Sequence, residues 1–124
     1  MIRALFIAKE KEVIRLISFP FVGGEKSLNP DNIVYVQTDG HRNIFYFSSP
    51  KESPLRVYMK LTDIEQVLHP YGFVRCHRSC LVNMKYVAKV KNYLLVLSTG
   101  EVFTISRMRY RMVKDLFNIQ KQKK

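Results

Sequence analysis

Apolar residues in this chain come in short runs rich in Val, Ile, Phe and Tyr, and turn-forming residues interrupt each run before it reaches helical length. That punctuation restricts the fold more than any other feature. Residues 13–22 read as a strand in which Pro20 suits an edge position, because its missing N–H does no harm there. Gly23-Gly24 then reads as a tight hairpin turn, with a return strand over 25–28. Asn29, Pro30 and Asp31 turn the chain into a strand over 32–37; 38–43 break it at Asp39-Gly40, and 44–48 complete a hairpin. After a loop over 49–54 the strand pattern returns at 55–59, and again at 86–91, 93–97 and 102–105, with a turn over 98–101.

Two segments depart from this pattern. Thr62, Asp63, Ile64 and Glu65 have the form of a capping box opening a short helix, with Ile64, Val67 and Leu68 on its buried face and Pro70 with Gly72 ending it. Ser106 is placed to cap a last helix over 107–118, where Met108, Met112, Val113, Leu116 and Phe117 are helix-spaced; the tail from Gln120 is expected to be solvated and disordered. Residues 1–12 fit either a short amphipathic helix or, through Ile2, Ala4 and Phe6, an alternating strand. The expected organisation is an N-terminal extension over 1–12, one mainly β domain over 13–118 and a basic tail over 119–124.

At 124 residues the chain has room for one ordinary core. Its 21 Lys and Arg against 10 Asp and Glu leave a formal charge of +11, which favours a polyanionic partner, nucleic acid before an anionic membrane. The N-terminal apolar patch is too brief for a signal-peptide core or a membrane span, so the expected location is the cytoplasm, without a membrane partner. In that compartment Cys76 and Cys80 read as free thiols.

The stretch Phe73 to Asn83, FVRCHRSCLVN, flanks polar and cationic residues with apolar anchors. It carries Arg75, His77, Arg78, Ser79 and Asn83, with Lys85 just beyond; no nucleophile has an evident base, so binding rather than catalysis is expected. His41, Arg42 and Asn43 form a second group of donors, and Ser106, Arg107 and Arg109 a third. Loops of this kind, braced by strands, can contact phosphates along a duplex and set a few side chains against base edges. The plainer reading makes each an ordinary solvated turn, and the density of donors in the central stretch argues against it there. Cys76, His77 and Cys80 invite a zinc reading, but no second ligand pair accompanies them, so neither metal nor cofactor is expected. A Cys–His catalytic pair is disfavoured because neighbours in an extended segment point to opposite faces. Tyr35, Phe45, Tyr46, Phe47 and Tyr58 could stack single-stranded RNA, though strand aromatics more often fill a core.

FVRCHRSCLVN, followed by Val87, the Thr99-Gly100 turn and FTISR at Phe103 to Arg107, resembles the LytTR family of bacterial DNA-binding domains. The resemblance extends over residues 13–118, including the strand that starts at Ile33 and the helix before the central stretch. It implies an elongated fold of antiparallel β-sheets with one internal short helix and one C-terminal helix. It also implies loops that enter successive major grooves of promoter DNA, bind imperfect direct repeats and bend the duplex. Carried over by position, His77 and Arg78 in the central loop and Arg107 before the last helix are the reading residues, with either His41 or Asn43 in the first loop. Most proteins with this domain carry a phosphate-accepting receiver ahead of it; here about a dozen residues precede the first matched strand. The reading is a double-stranded DNA-binding transcription regulator, with a homodimer or a regulatory protein as further partner. The alternatives are an RNA-binding protein and a module that sequesters another regulator.

Overall fold

The computed structural model describes residues 4–9 and 12–122, with side chains described from residue 15 onward. The expected antiparallel, mainly β architecture is present. An eight-stranded sheet contains β1 (Ala4–Lys9), β2 (Glu12–Phe21), β3 (Gly24–Leu28), β4 (Ile33–Asp39), β5 (Arg42–Phe47), β6 (Leu55–Val57), β7 (Phe73–His77) and β8 (Cys80–Asn83). Its order is β1-β2-β6-β5-β4-β8-β7, and β3 pairs with β2 beside that path. A second sheet has the order β11-β10-β9, from β9 (Val87–Lys91), β10 (Leu94–Leu97) and β11 (Val102–Thr104). Helices α1 (Leu61–Leu68) and α2 (Arg107–Gln122) complete the chain.

The ambiguity near the N-terminus resolves to strand: β1 pairs with β2 in register from Ala4↔Ile17 to Lys9↔Glu12. Among the described residues Pro20 has one ladder partner, Glu25 of β3. Phe21↔Gly24 pairing moves that hairpin's two-residue turn to Val22-Gly23, one position earlier than expected.

Two cores lie on either side of the wall formed by β4, β7 and β8. Ile33, Val36, Phe73 and Leu81 face one core, where they meet Phe19, Phe21 and Phe45 of the sheet and Leu61, Ile64 and Leu68 of α1. Tyr35, Val74, Cys76, Cys80 and Val82 face the other, packed with Val90, Leu95, Phe103 and Val113 from the small sheet and α2. The period-2 alternation of side chains makes this possible, since successive residues of β7 and β8 point to opposite faces and both faces are covered. Removing a ring such as that of fully buried Phe45 is worth about 3–5 kcal/mol.

Several local expectations are corrected. Thr62 does not open a capping box: α1 starts at Leu61, its N-cap Lys60 makes no side-chain cap bond, and the Thr62 hydroxyl and Glu65 carboxylate instead bind Arg75. The helix does end at Pro70 and Gly72, with Gly72 at φ +88° closing the final turn. Tyr93 is not in a strand; Asn92 and Tyr93, at φ 54° and 63°, form the two-residue turn between β9 and β10. A bulky residue at positive φ is unusual, and here the Tyr93 ring packs on Tyr110 of α2 at 4.3 Å between centroids.

Helix α2 runs to Gln122 rather than stopping at residue 118, so Gln120 and Lys121 are helical rather than disordered. Gln120 Nε2 donates to the Met84 carbonyl at 2.7 Å, which ties this last turn to the body. Of its helix-spaced apolar residues, Val113 is buried and Phe117 packs beside it, whereas Met108, Met112 and Leu116 are exposed.

Candidate nucleic-acid interface

The central hairpin, β7–β8, is anchored by its apolar residues in both cores, so only its tip reaches the surface. Arg75 braces that tip from below. Its Nε donates to the His77 carbonyl at 3.3 Å and its second terminal nitrogen to the Arg78 carbonyl at 2.6 Å. The other terminal nitrogen reaches Thr62 Oγ1 and Glu65 Oε1 of α1, each at 3.1 Å. One guanidinium therefore fixes two carbonyls of the turn and joins them to α1, as only a planar fork of donors can. The Ser79 amide donates to His77 Nδ1 at 3.1 Å, which closes the turn from its other side.

That bond also determines the state of His77. Burial, and then the charges of Arg75, Arg109 and Arg78, lower the His77 pKa below its ordinary value, so the ring is neutral. With Nδ1 accepting, the proton resides on Nε2, leaving a single directed donor on a half-buried ring. The next residue, Arg78, is exposed and its guanidinium has no hydrogen bond or ion pair with another described residue.

Two backbone hydrogen bonds bring the other donor groups to this tip. The Thr38 amide donates to the Ser79 carbonyl at 2.9 Å, joining the β4–β5 hairpin to the turn, and the Ser106 amide donates to the Cys76 carbonyl at 2.9 Å, joining the start of α2. Thr38 and Asn43 lie within strands, so the first loop is only the two-residue turn Gly40-His41, with Gly40 at φ +65°. His41 is exposed at this turn and Arg42 half-buried beside it. At the third junction Arg107 is exposed, while Arg109 lies close enough for its charge to act on both His77 and Cys76. Ser106 stands where a cap belongs, and its carbonyl accepts from the Arg109 amide, but its buried hydroxyl has no hydrogen-bond partner among the described residues and caps none of them.

The remaining candidates lie elsewhere or are already engaged. Asn43, 4% exposed, donates to the Met59 carbonyl at 2.6 Å and accepts from the Thr38 hydroxyl at 2.6 Å. Asn83, 2% exposed, donates to the Ile33 carbonyl at 2.9 Å and accepts from the Lys85 amide at 3.1 Å. Both amides hold strands and loops together. Asn83 and Lys85 also lie at the far end of the hairpin from its tip, where Lys85 is 3.8 Å from Asp31. Lys114 Nζ donates to the Val90 carbonyl at 2.9 Å.

The aromatic platform considered for single-stranded RNA is dispersed. Tyr35 and Phe45 are buried in different cores, Tyr35 stacks on Tyr46 at 4.4 Å, and Tyr58 alone is largely exposed. Sequence reasoning passed over Lys60, which is exposed one residue from the carbonyl that binds Asn43; no local pattern marks it.

The cysteines correct one geometric expectation. The β7–β8 register shifts between Arg75 and His77, so Cys76 and His77 are not held on opposite faces. Ligand atoms of Cys76, His77 and Cys80 all lie within 4.8 Å of one another. Both cysteines are free and buried, and the hydrogen bond that the Cys80 thiol donates toward Cys76, together with burial, pushes the Cys80 pKa up.

A family model described as the LytTr DNA-binding domain matches residues 25–118. Over 94 residues the chain is 31% identical to the sensory transduction protein LytT of Bacillus subtilis (strain 168), an alignment covering 71% of this chain and 37% of that protein. The chain thus spans little more than a third of that relative's length. Its fold is similar to a solved LytTr DNA-binding domain from Bacillus cereus, with a TM-score of 0.66 at 19% identity, covering 82% of this chain and 94% of that one.

Proposed function

The chain belongs to the LytTR family of DNA-binding domains, and we propose that it is a bacterial cytoplasmic transcription regulator whose three clustered loops read promoter DNA through the major groove. The observation that carries this reading is the pair of backbone hydrogen bonds, Thr38 to Ser79 and Ser106 to Cys76, which gather the donors of three separate segments around one braced turn.

In this reading Arg78 addresses guanine O6 and N7, and the Nε2–H of His77 meets a neighbouring acceptor. Arg107 reads from the start of α2. Arg109 faces phosphate oxygens nearby, and His41, Arg42 and Lys60 hold the duplex on the β4–β5 side. Asn43 and Asn83 act from behind, by fixing the strands that carry the loops. Arg75 does the same for the turn. Two copies reading a direct repeat, in contact or not, would account for an imperfectly repeated operator; the surplus of basic residues supplies a sequence-independent and salt-sensitive share of the affinity.

The test is selection of binding sites from randomised duplex DNA at near-physiological salt with single-stranded RNA as competitor. Enrichment of a short repeated motif is expected. Retention governed by salt alone, or displacement by the RNA, would reject the reading.

A further inference from the structure

Three side chains of metal-ligating type meet directly beneath the proposed reading turn, and among the described residues no other group of three does so. We propose that Cys76, His77 and Cys80 form a three-coordinate site for a thiophilic monovalent cation, Cu(I), and that filling it opens the β7–β8 turn.

The donor set selects the ion. Two sulfurs and one imidazole nitrogen are soft ligands of the kind that favour Cu(I) or Zn(II). Zinc ordinarily takes four ligands in a tetrahedron. Here the described residues offer three, and both cysteines are fully buried, which leaves little room for water as a fourth. The ligand atoms lie within 4.8 Å of one another, so a modest contraction would bring them around one ion.

Charge points the same way. On loading, the two thiol protons leave to solvent, and two thiolates, a neutral imidazole and Cu(I) sum to one negative charge. That charge would sit among cations: Arg109 acts on Cys76 and His77, and Arg75 and Arg78 act on His77. A divalent ion would form a neutral centre and gain nothing from these arginines.

Occupancy is incompatible with the turn as it stands, because His77 Nδ1 is the acceptor for the Ser79 amide. A metal on Nδ1 replaces that bond directly. A metal on Nε2 forces the ring proton onto Nδ1, where it faces the Ser79 N–H, so the bond is lost in either case. The released residue is the one whose carbonyl anchors Thr38, and the turn that carries Arg78 loses one of its ties. Cu(I) should therefore antagonise specific DNA binding, a consequence that rests on the DNA-reading assignment above.

The experiment is an anaerobic titration of the full chain with Cu(I) against a coloured Cu(I) chelator, followed by copper-edge X-ray absorption and by hydrogen exchange of the Ser79 amide. One Cu(I) per chain, with two sulfur neighbours and one nitrogen, and faster Ser79 exchange are expected. Cys80→Ala, folded by circular dichroism, should lose Cu(I) affinity by about tenfold or more. Should that variant not fold, the ligand count on the wild-type protein decides alone. A shell without nitrogen, unchanged Ser79 exchange, or full affinity in Cys80→Ala would overturn the site. Loaded wild-type protein should bind its selected duplex about tenfold more weakly. If loading leaves that affinity intact while Arg78→Ala still weakens it, the antagonism is wrong and the DNA reading stands. If Arg78→Ala also has no effect, the DNA reading is what failed, and the absorption result judges the metal site by itself.

Discussion

The dipeptide His-Arg occurs at the ends of two hairpins, as His41-Arg42 and as His77-Arg78, and the two copies are built differently. In the β4–β5 turn His41 is exposed, and the tip is closed by the Asp39↔Arg42 strand pair. In the β7–β8 turn the histidine is half-buried with Nδ1 occupied, two carbonyls are held by Arg75, and only Arg78 projects freely. Identical residue types thus become a compliant contact in one place and a preorganised reader in the other. A side chain that leaves an already fixed backbone loses less freedom on binding, and a fixed point of departure is also what helps it discriminate one base from another.

The largest effect should come from Arg75→Ala, which removes the brace and leaves Glu65 without its partner. Stability in urea should fall by about 2–3 kcal/mol, and specific DNA affinity at least as far as in Arg78→Ala although Arg75 need not touch DNA. Wild-type affinity in a folded Arg75→Ala protein would end the claim that the turn is preorganised. Next, Arg78→Ala or Arg107→Ala should cost about 1–3 kcal/mol on the selected site and much less on random duplex. An equal loss on both DNAs would make Arg78 a phosphate contact and erase the difference between the two hairpins. A smaller change is expected for His41→Ala with Arg42→Ala, about 0.5–1 kcal/mol on either DNA with a shallower salt dependence; strong sequence-selective loss would promote the first hairpin to a reader. Lys121→Ala should weaken all DNA slightly, seen as a small change in the salt slope.

Much of this fold was legible because strand-forming runs and their turn residues are local signals. Ile33 to Val36 and Phe45 lie in strands, the central FVRCHRSCLVN stretch forms two strands around an Arg78-Ser79 turn, and the short helix ends at Pro70 and Gly72 as their chemistry demands. Two of the misreadings share one cause, competition from a distant partner. Thr62 and Glu65 have the spacing of a cap, but Arg75 takes both, and nothing within their own window records it. Tyr93 opens an apolar run, yet Tyr110 across the fold accepts its ring in a turn. The candidate site was partly legible for the same reason. Its donors could be picked out by type, whereas burial of Asn43 and Asn83 depends on the carbonyls of Met59 and Ile33, which only the folded chain brings near.

The wall between the two cores sets an order of events during synthesis. β4 emerges early, but its partner on one side is β8, through Tyr35↔Val82 and Val36↔Leu81. Pairings so far apart in sequence are slow to form, since a long loop must close before any contact is gained. Until residue 83 has left the ribosome, one edge of β4 is bare and the phenylalanine-rich core lacks Phe73 and Leu81 as its cover. A translational pause inside β7 or β8 would therefore leave an unpaired, apolar strand edge exposed to other nascent chains, so chaperone demand should depend on how fast this one hairpin is translated.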